Sequence, residues 1–275
     1  MEKKFFLKAV IGAALFVSTV AGANAQDALA RVKEAGLLKV GTETAYAPFD
    51  FIDAGTHAGL NVDLFDEIGK ELGVKIEWVL LPWEGVLPGL EVGKFDIVGG
   101  PAGITKGRLA RYRFTPPVAE TTVALIKRKG DASIAKSEDI ADKVVGGVKA
   151  SAQLAELMAF NETLTNKAEV RAYPGYNEAI ADLAGGRIIA VANVLPNLVF
   201  VAKQRPDTFE VVQPPFGTKS YSGYPGLKDE DHKSLMDAVD KAILKIKADG
   251  RLAKIQERWF GAAFETPDSV TDPTF

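Results

Sequence analysis

The chain has 275 residues, 47% of them hydrophobic and 25% charged. Those are globular proportions: they exclude a disordered or low-complexity chain and leave room for two domains. With 33 basic and 36 acidic residues, a formal charge of −3 and no cysteine, nucleic acid is not an expected partner, and disulfides, thiolate metal sites and thiol nucleophiles are excluded.

The first segment reads as an export signal. Lys3, Lys4 and Lys8 open the chain, the apolar run Ala9–Ala21 follows, and Ala23-Asn24-Ala25 is a small-x-small cleavage site. This order marks a cleavable signal peptide over 1–25, cut after Ala25. The apolar run has 13 residues, short of the roughly 20 that a spanning helix needs. The mature protein is therefore expected to be free in the periplasm. From Leu37 onward strands and helices alternate. Leu37–Gly41 reads as a strand, and Asn61 as the cap of a helix ending at Gly73. Val74–Leu80 alternates like a strand, Pro82–Gly93 reads as a turn and short helix, and Phe95–Val98 and Thr122–Lys127 as strands. A second set follows: strand Lys143–Gly147, helix Ser151–Asn161, strand Glu169–Tyr173, helix Gly175–Ala184 and strand Arg187–Ala192. Asp229–Asp249 carries an apolar helical face, and Arg251–Phe260 continues as a last helix. The pattern predicts two α/β lobes with parallel sheets and a ligand cleft beyond the carboxyl ends of the strands.

No catalytic motif stands out. There is no nucleophile elbow, no phosphate-binding loop and no His-Glu-x-x-His. His57 and His232 are too far apart in sequence to imply a metal site, so no metal or cofactor is expected. Gly99-Gly100-Pro101-Ala102-Gly103 follows a strand and reads equally as a turn or as a loop approaching a ligand. Arg108, Arg111 and Arg113 lie just after it, and one of them could grip a carboxylate in a two-pronged salt bridge.

Several segments in order carry a resemblance. They include Val40-Gly41-Thr42-Glu43-Thr44-Ala45-Tyr46-Ala47-Pro48-Phe49, Trp83-Glu84-Gly85-Val86-Leu87-Pro88-Gly89-Leu90 and Gly93-Lys94-Phe95-Asp96-Ile97-Val98. Ile104-Thr105-Lys106-Gly107-Arg108, Gly186-Arg187, Ala248-Asp249-Gly250-Arg251-Leu252 and Trp259-Phe260-Gly261 continue the series. The chain resembles the family-3 periplasmic solute-binding proteins, the polar amino-acid receptors of ABC importers. The resemblance implies a type II two-lobe fold joined by a two-strand hinge. Lobe 1 would be 26–121 plus 218–275, and lobe 2 would be 122–217. It also implies a monomer that binds a small carboxylate or amino-acid-like ligand, closes around it and presents the closed form to a membrane permease.

By the same resemblance, Arg108 grips the ligand carboxylate and Tyr46 covers the ligand side chain. Trp83 stands near the cleft mouth, and Ser151 and Ala152 open the helix that adds a backbone contact. Gly100, Pro101 and Gly103 form the loop before Arg108, where the family has small residues and Ser or Thr. Pro101 has no N–H to offer. The family's ammonium-binding Asp falls at Val194, beside the neutral Asn193. A buried ammonium without a partner costs several kcal/mol, which argues against an ordinary α-amino acid unless another acid compensates, with Glu43 first in line. The alternative is an enzyme on the same scaffold, a cyclohexadienyl or prephenate dehydratase-like lyase. Its general acid would have to face the cleft with a raised pKa, and Glu43, Glu84 and Glu120 are the candidates.

Overall fold

The computed structural model describes residues 27–273; the expected signal peptide and cleavage site lie outside them. Helix α1 (Ala28–Ala35) starts at Asp27, whose side chain accepts from the Ala30 N–H at 2.9 Å. Strand β1 (Leu37–Thr42) follows, then a small antiparallel ribbon of β2 (Ala45–Tyr46), β3 (Asp50–Asp53) and β4 (Thr56–Ala58). Helix α2 (Leu60–Leu72) is not capped by Asn61. Its cap is Gly59 at φ 138°, where a Cβ would stand 2.1 Å from the Phe49 carbonyl oxygen, so only glycine fits. Asn61 is instead fully buried. It donates to Asp50 and accepts from the Tyr224 hydroxyl at 2.8 Å, while Asp50 also bonds His57 at 2.9 Å.

Next come β5 (Lys75–Leu80), α3 (Trp83–Glu91), β6 (Ile97–Val98), β7 (Ala102–Gly103), α4 (Lys106–Arg111), β8 (Tyr112–Phe114) and β9 (Ala119–Thr121). In the first lobe β1 lies between β5 and β6, all parallel. Buried Leu38 and Val40 of β1 pack against Leu64, Phe65 and Ile68 of α2. Each such side chain contributes about 1.5–3 kcal/mol of hydrophobic stabilisation.

The chain then crosses into the second lobe on β10 (Val123–Arg128), followed by β11 (Val144–Val148), α5 (Ala152–Thr163), β12 (Glu169–Tyr173), α6 (Tyr176–Ala184), β13 (Ala190–Val194), α7 (Leu195–Gln204) and β14 (Phe209–Val211). The sheet order is β12-β11-β13-β10-β14. Its β11 is parallel to both neighbours, but β10 is antiparallel to β13 and β14. The expected parallel sheet is therefore mixed, because β10 enters from the other lobe against the direction of the βαβ units. The return strand β15 (Ser220–Gly223) lies antiparallel beside β9, with Ser220 opposite Thr121 and their hydroxyls 3.0 Å apart. Strand β16 (Pro225–Leu227) and helices α8 (Glu230–Ala248) and α9 (Arg251–Phe260) complete the first lobe. Buried Leu235, Val239 and Ile243 of α8 join its core. Among the described residues no helix is long and apolar enough to cross a membrane.

Candidate ligand-binding site

The two lobes face each other across a partly open pocket. The first lobe contributes Glu43, Tyr46, Trp83, Pro101, Ala102, Gly103 and Arg108, and the second contributes Val148, Ser151, Gln153, Tyr176, Ala192 and Asn193. They come from strands, from the turns that follow them, or from the first turn of the next helix, as do Trp83, Arg108, Gln153 and Tyr176.

Arg108 owes its position to Thr105, the N-cap of α4, whose hydroxyl accepts the Arg108 N–H at 3.2 Å. Its guanidinium donates to the Gly103 carbonyl at 3.0 Å and, across the cleft, to the Ala150 carbonyl at 3.1 Å. The Trp83 ring lies 5.7 Å away, within cation–π range. Among the described residues no carboxylate pairs with it, and burial lowers its pKa to about 10. Arg111 and Arg113 are occupied elsewhere: Arg111 pairs with Glu91, and Arg113 with Asp237 and Asp240.

Glu43 is the acid in the cavity wall. It is 9% exposed, and burial, reinforced by the charges of Asp50 and Glu178, lifts its pKa to about 8. Tyr46 feels both Glu43 and Arg108; its hydroxyl accepts from Gln153 of the second lobe at 3.3 Å, and its ring stacks on Phe49 at 5.1 Å. Ser151 caps α5: its hydroxyl donates to the Val148 carbonyl at 2.7 Å and accepts from the Leu154 N–H at 3.0 Å, so it is spoken for within the helix turn. Asn193 turns its side-chain oxygen onto the Val194 N–H at 2.8 Å.

Eight of the eleven residues singled out from sequence line the cavity; Gly100, Ala152 and Val194 do not. Gly100 is buried behind the wall, where a Cβ would stand 3.0 Å from the Thr42 hydroxyl. Ala152 and Val194 border a second compartment next to the cavity. Val194 is the N-cap of α7, 1% exposed and packed into the same cluster as Phe49 and Leu60 of the first lobe. The expectation that its side chain forms the cavity wall is corrected. An apolar side chain at that turn is better placed in the interlobe core than against a polar ligand. Sequence reasoning missed the apolar Ala102, Val148 and Ala192 and, among polar residues, Gln153 and Tyr176. Both stand in the first turn of a helix that follows a strand, the same local pattern that drew attention to Ser151. The Tyr176 hydroxyl is buried with no partner among the described residues. Of the other two acids, Glu84 faces a neighbouring groove and Glu120 pairs with Lys219 at 2.8 Å.

A sequence profile of the bacterial extracellular solute-binding proteins, family 3, matches residues 38–262. The chain belongs to that family. Among its relatives is a putative amino-acid ABC transporter-binding protein of Vibrio harveyi, 31% identical over 85% of this chain and 92% of the other. The L-cystine-binding protein TcyJ of Escherichia coli is also 31% identical, over 85% of this chain and 86% of its own. An ancestral arginine-binding protein bound to arginine matches this family-3 protein with a TM-score of 0.75 at 32% identity, covering 82% of this chain and 99% of that one. An ancestral amino-acid-binding protein described as a precursor of cyclohexadienyl dehydratase matches with a TM-score of 0.77 at 30% identity, covering 84% and 99%. Two-lobe periplasmic binding proteins thus share the fold.

Proposed function

We propose that this protein is the binding receptor of an ABC importer and that its solute is a small amino-acid-like carboxylate. Arg108 carries the reading. It is a half-buried guanidinium in the wall of an interlobe cavity, with carbonyls but no carboxylate around it among the described residues. A buried charge without a counterion is costly, and a ligand carboxylate would supply the counterion in a two-pronged bond. Glu43 stands in the same cavity, held protonated near neutral pH by its burial, and a cationic group beside it would draw its proton off, so the site suits a molecule bearing both signs. The arginine and L-cystine of the related proteins' names are molecules of that kind.

The mature chain begins at Gln26 and stays in the periplasm as a monomer. Residues 26–121 with 218–275, and residues 122–217, move as two bodies. Their hinge lies where β9 and β15 run side by side, near Ala119–Thr122 and Pro214–Ser220. The ligand stabilises the closed form through contacts made only there, and the permease reads that form. The test is solution scattering of the mature protein with and without each of a panel of amino acids and carboxylates that raise its melting temperature. A binder lowers the radius of gyration; a saturating ligand that leaves it unchanged refutes the clamp.

One observation favours a lyase instead: Glu43 faces the cavity with a raised pKa, as a general acid would. Incubation with prephenate separates the two readings. A receptor releases no phenylpyruvate, whereas a lyase produces it together with carbon dioxide and water.

A further inference from the structure

Beside the main cavity lies a second, narrow compartment with room for about one water, bordered by Gly103, Thr105, Gln153, Glu156, Val194 and Ser220. Gly103 and Gln153 line both spaces, so the two share a wall. Among the described residues the only acid on its wall is Glu156 of α5. Glu156 is 9% exposed and makes no hydrogen bond or ion pair among the described residues. Burial alone lifts its carboxyl to about 7. Its Oε2 rests over Gly217, 2.8 Å from where a Cβ would stand, so any larger residue there would displace it. A buried, unpaired carboxyl is a costly feature for a fold to keep, and its presence beside the ligand cavity calls for a cation.

Geometry says which cation. Arg108 donates to the Gly103 carbonyl, so a carboxylate held by Arg108 lies next to Gly103. In an α-amino acid the ammonium is one carbon away from the carboxylate, so it too would lie near Gly103, which borders both spaces. We propose that Glu156 holds the solute's α-ammonium, taking over from position 194, where the family resemblance places Asp and this chain has Val. The acid has moved from the strand end into α5 while still facing the same compartment as Val194. Glu43 is left to meet the other end of the solute. The inference rests on the amino-acid-like reading above and reverses the expectation that Val194 excludes α-amino acids.

The test pairs each ligand with its deaminated twin. The twenty L-amino acids and L-cystine are screened by thermal shift, and the best binder and the same acid lacking the α-amine are titrated by calorimetry. Wild type, Glu156→Gln and Arg108→Ala are compared. Wild type should prefer the amine by at least tenfold. Glu156→Gln should lose that preference, keep its affinity for the deaminated acid and melt no lower than wild type. Arg108→Ala should weaken both ligands. An amine preference that survives in Glu156→Gln overturns the inference. So does a wild-type protein that binds deaminated acids as well as amino acids, or binds carboxylates but no amino acid; binding lost in Arg108→Ala would then leave the carboxylate reading standing. If no binding depends on Arg108, that reading falls first and this inference with it.

Discussion

Replacing Arg108 with Ala tests the site most directly. The guanidinium contributes three things that can be lost separately: the ligand carboxylate contact, the bond to Gly103 within one lobe and the bond to Ala150 across the cleft. Truncating one partner of a buried, hydrogen-bonded charge pair costs about 2–5 kcal/mol. At 1.4 kcal/mol per decade, that is roughly a 30- to 4,000-fold rise in Kd. The cross-cleft bond adds to the same figure, because losing it disfavours the closed form that binds. Stability should change little: two carbonyls lose a donor, but a desolvated cation with no counterion among the described residues is removed as well. Arg108→Lys keeps the charge without the planar fork, so its Kd should fall between the two. Calorimetry on the best ligand from a thermal-shift screen measures the effect, and a melting curve checks the fold. If Arg108→Ala binds within threefold of wild type, the guanidinium does not hold the ligand and the reasoning fails.

Two further outcomes follow from buried and paired charges. Burial raises the Glu43 carboxyl to about 8. The folded protein therefore keeps a proton that the unfolded chain releases as pH rises, and stability should decline between about pH 4.5 and 8. Glu43→Gln should flatten that decline, matching wild type at pH 4 and exceeding it above pH 8 by on the order of a few kcal/mol. Glu156 shifts in the same direction, so the slope should shrink rather than vanish; parallel pH–melting curves for the two proteins would contradict the burial of Glu43. On the outer surface, Arg251 at the start of α9 pairs with Glu67 at 2.6 Å and with Glu71 and Asp249 at 2.7 Å, tying α9 to α2. Arg251→Ala should cost about 1 kcal/mol, or roughly 2–4 °C in Tm, less at high salt, and leave ligand affinity unchanged; a salt-independent loss would mean that packing rather than charge is at stake.

How far the sequence announces this structure depends on whether a feature is local. Helices α2 and α8 are legible because Leu64, Phe65 and Ile68, and Leu235, Val239 and Ile243, repeat at helical spacing and all reach the core. The ribbon β2–β4 is not, since strands of two to four residues carry no period to read. Helix α7 also goes unannounced: Val194-Leu195-Pro196 looks like the tail of a strand, yet Pro196 sits in the first turn of the helix, where a missing N–H costs nothing. The same division holds for the site. Arg108, Tyr46 and Glu43 are marked by the segments around them. Gln153 and Tyr176 are defined by what the other lobe brings opposite them, and Glu156 by a Gly217 far along the chain. Those contacts exist only in three dimensions.

Closure can be separated from ligand contact through Asn197. Among the described residues four polar contacts span the cleft: Arg108 and Trp83 donate to the Ala150 carbonyl, Gln153 donates to the Tyr46 hydroxyl, and Asn197 of α7 donates to the Ala47 carbonyl. The donors of the first three line the cavity, so replacing any of them alters the ligand's surroundings as well as the hinge equilibrium. Asn197 is fully buried outside the cavity wall, on a helix that packs on β10, β13 and β14 of the second lobe. Phe200, one turn further, meets Phe51 of the first lobe at 6.0 Å. Asn197→Ala therefore removes a bond made only when the lobes meet. A net hydrogen bond is worth about 0.5–1.5 kcal/mol. The Asn197 side-chain oxygen, buried without a partner among the described residues, disappears with it, which holds the loss toward the lower end. If binding requires closure, that energy passes into the apparent affinity, so Kd should rise roughly two- to tenfold. The change should appear as faster dissociation with an unaltered association rate, because the ligand first meets an open lobe whose contacts are intact. Stopped-flow binding measures both rates. An unchanged dissociation rate, or a weakening carried entirely by slower association, would show that α7 does not hold the lobes together and that closure draws its energy from the cavity alone.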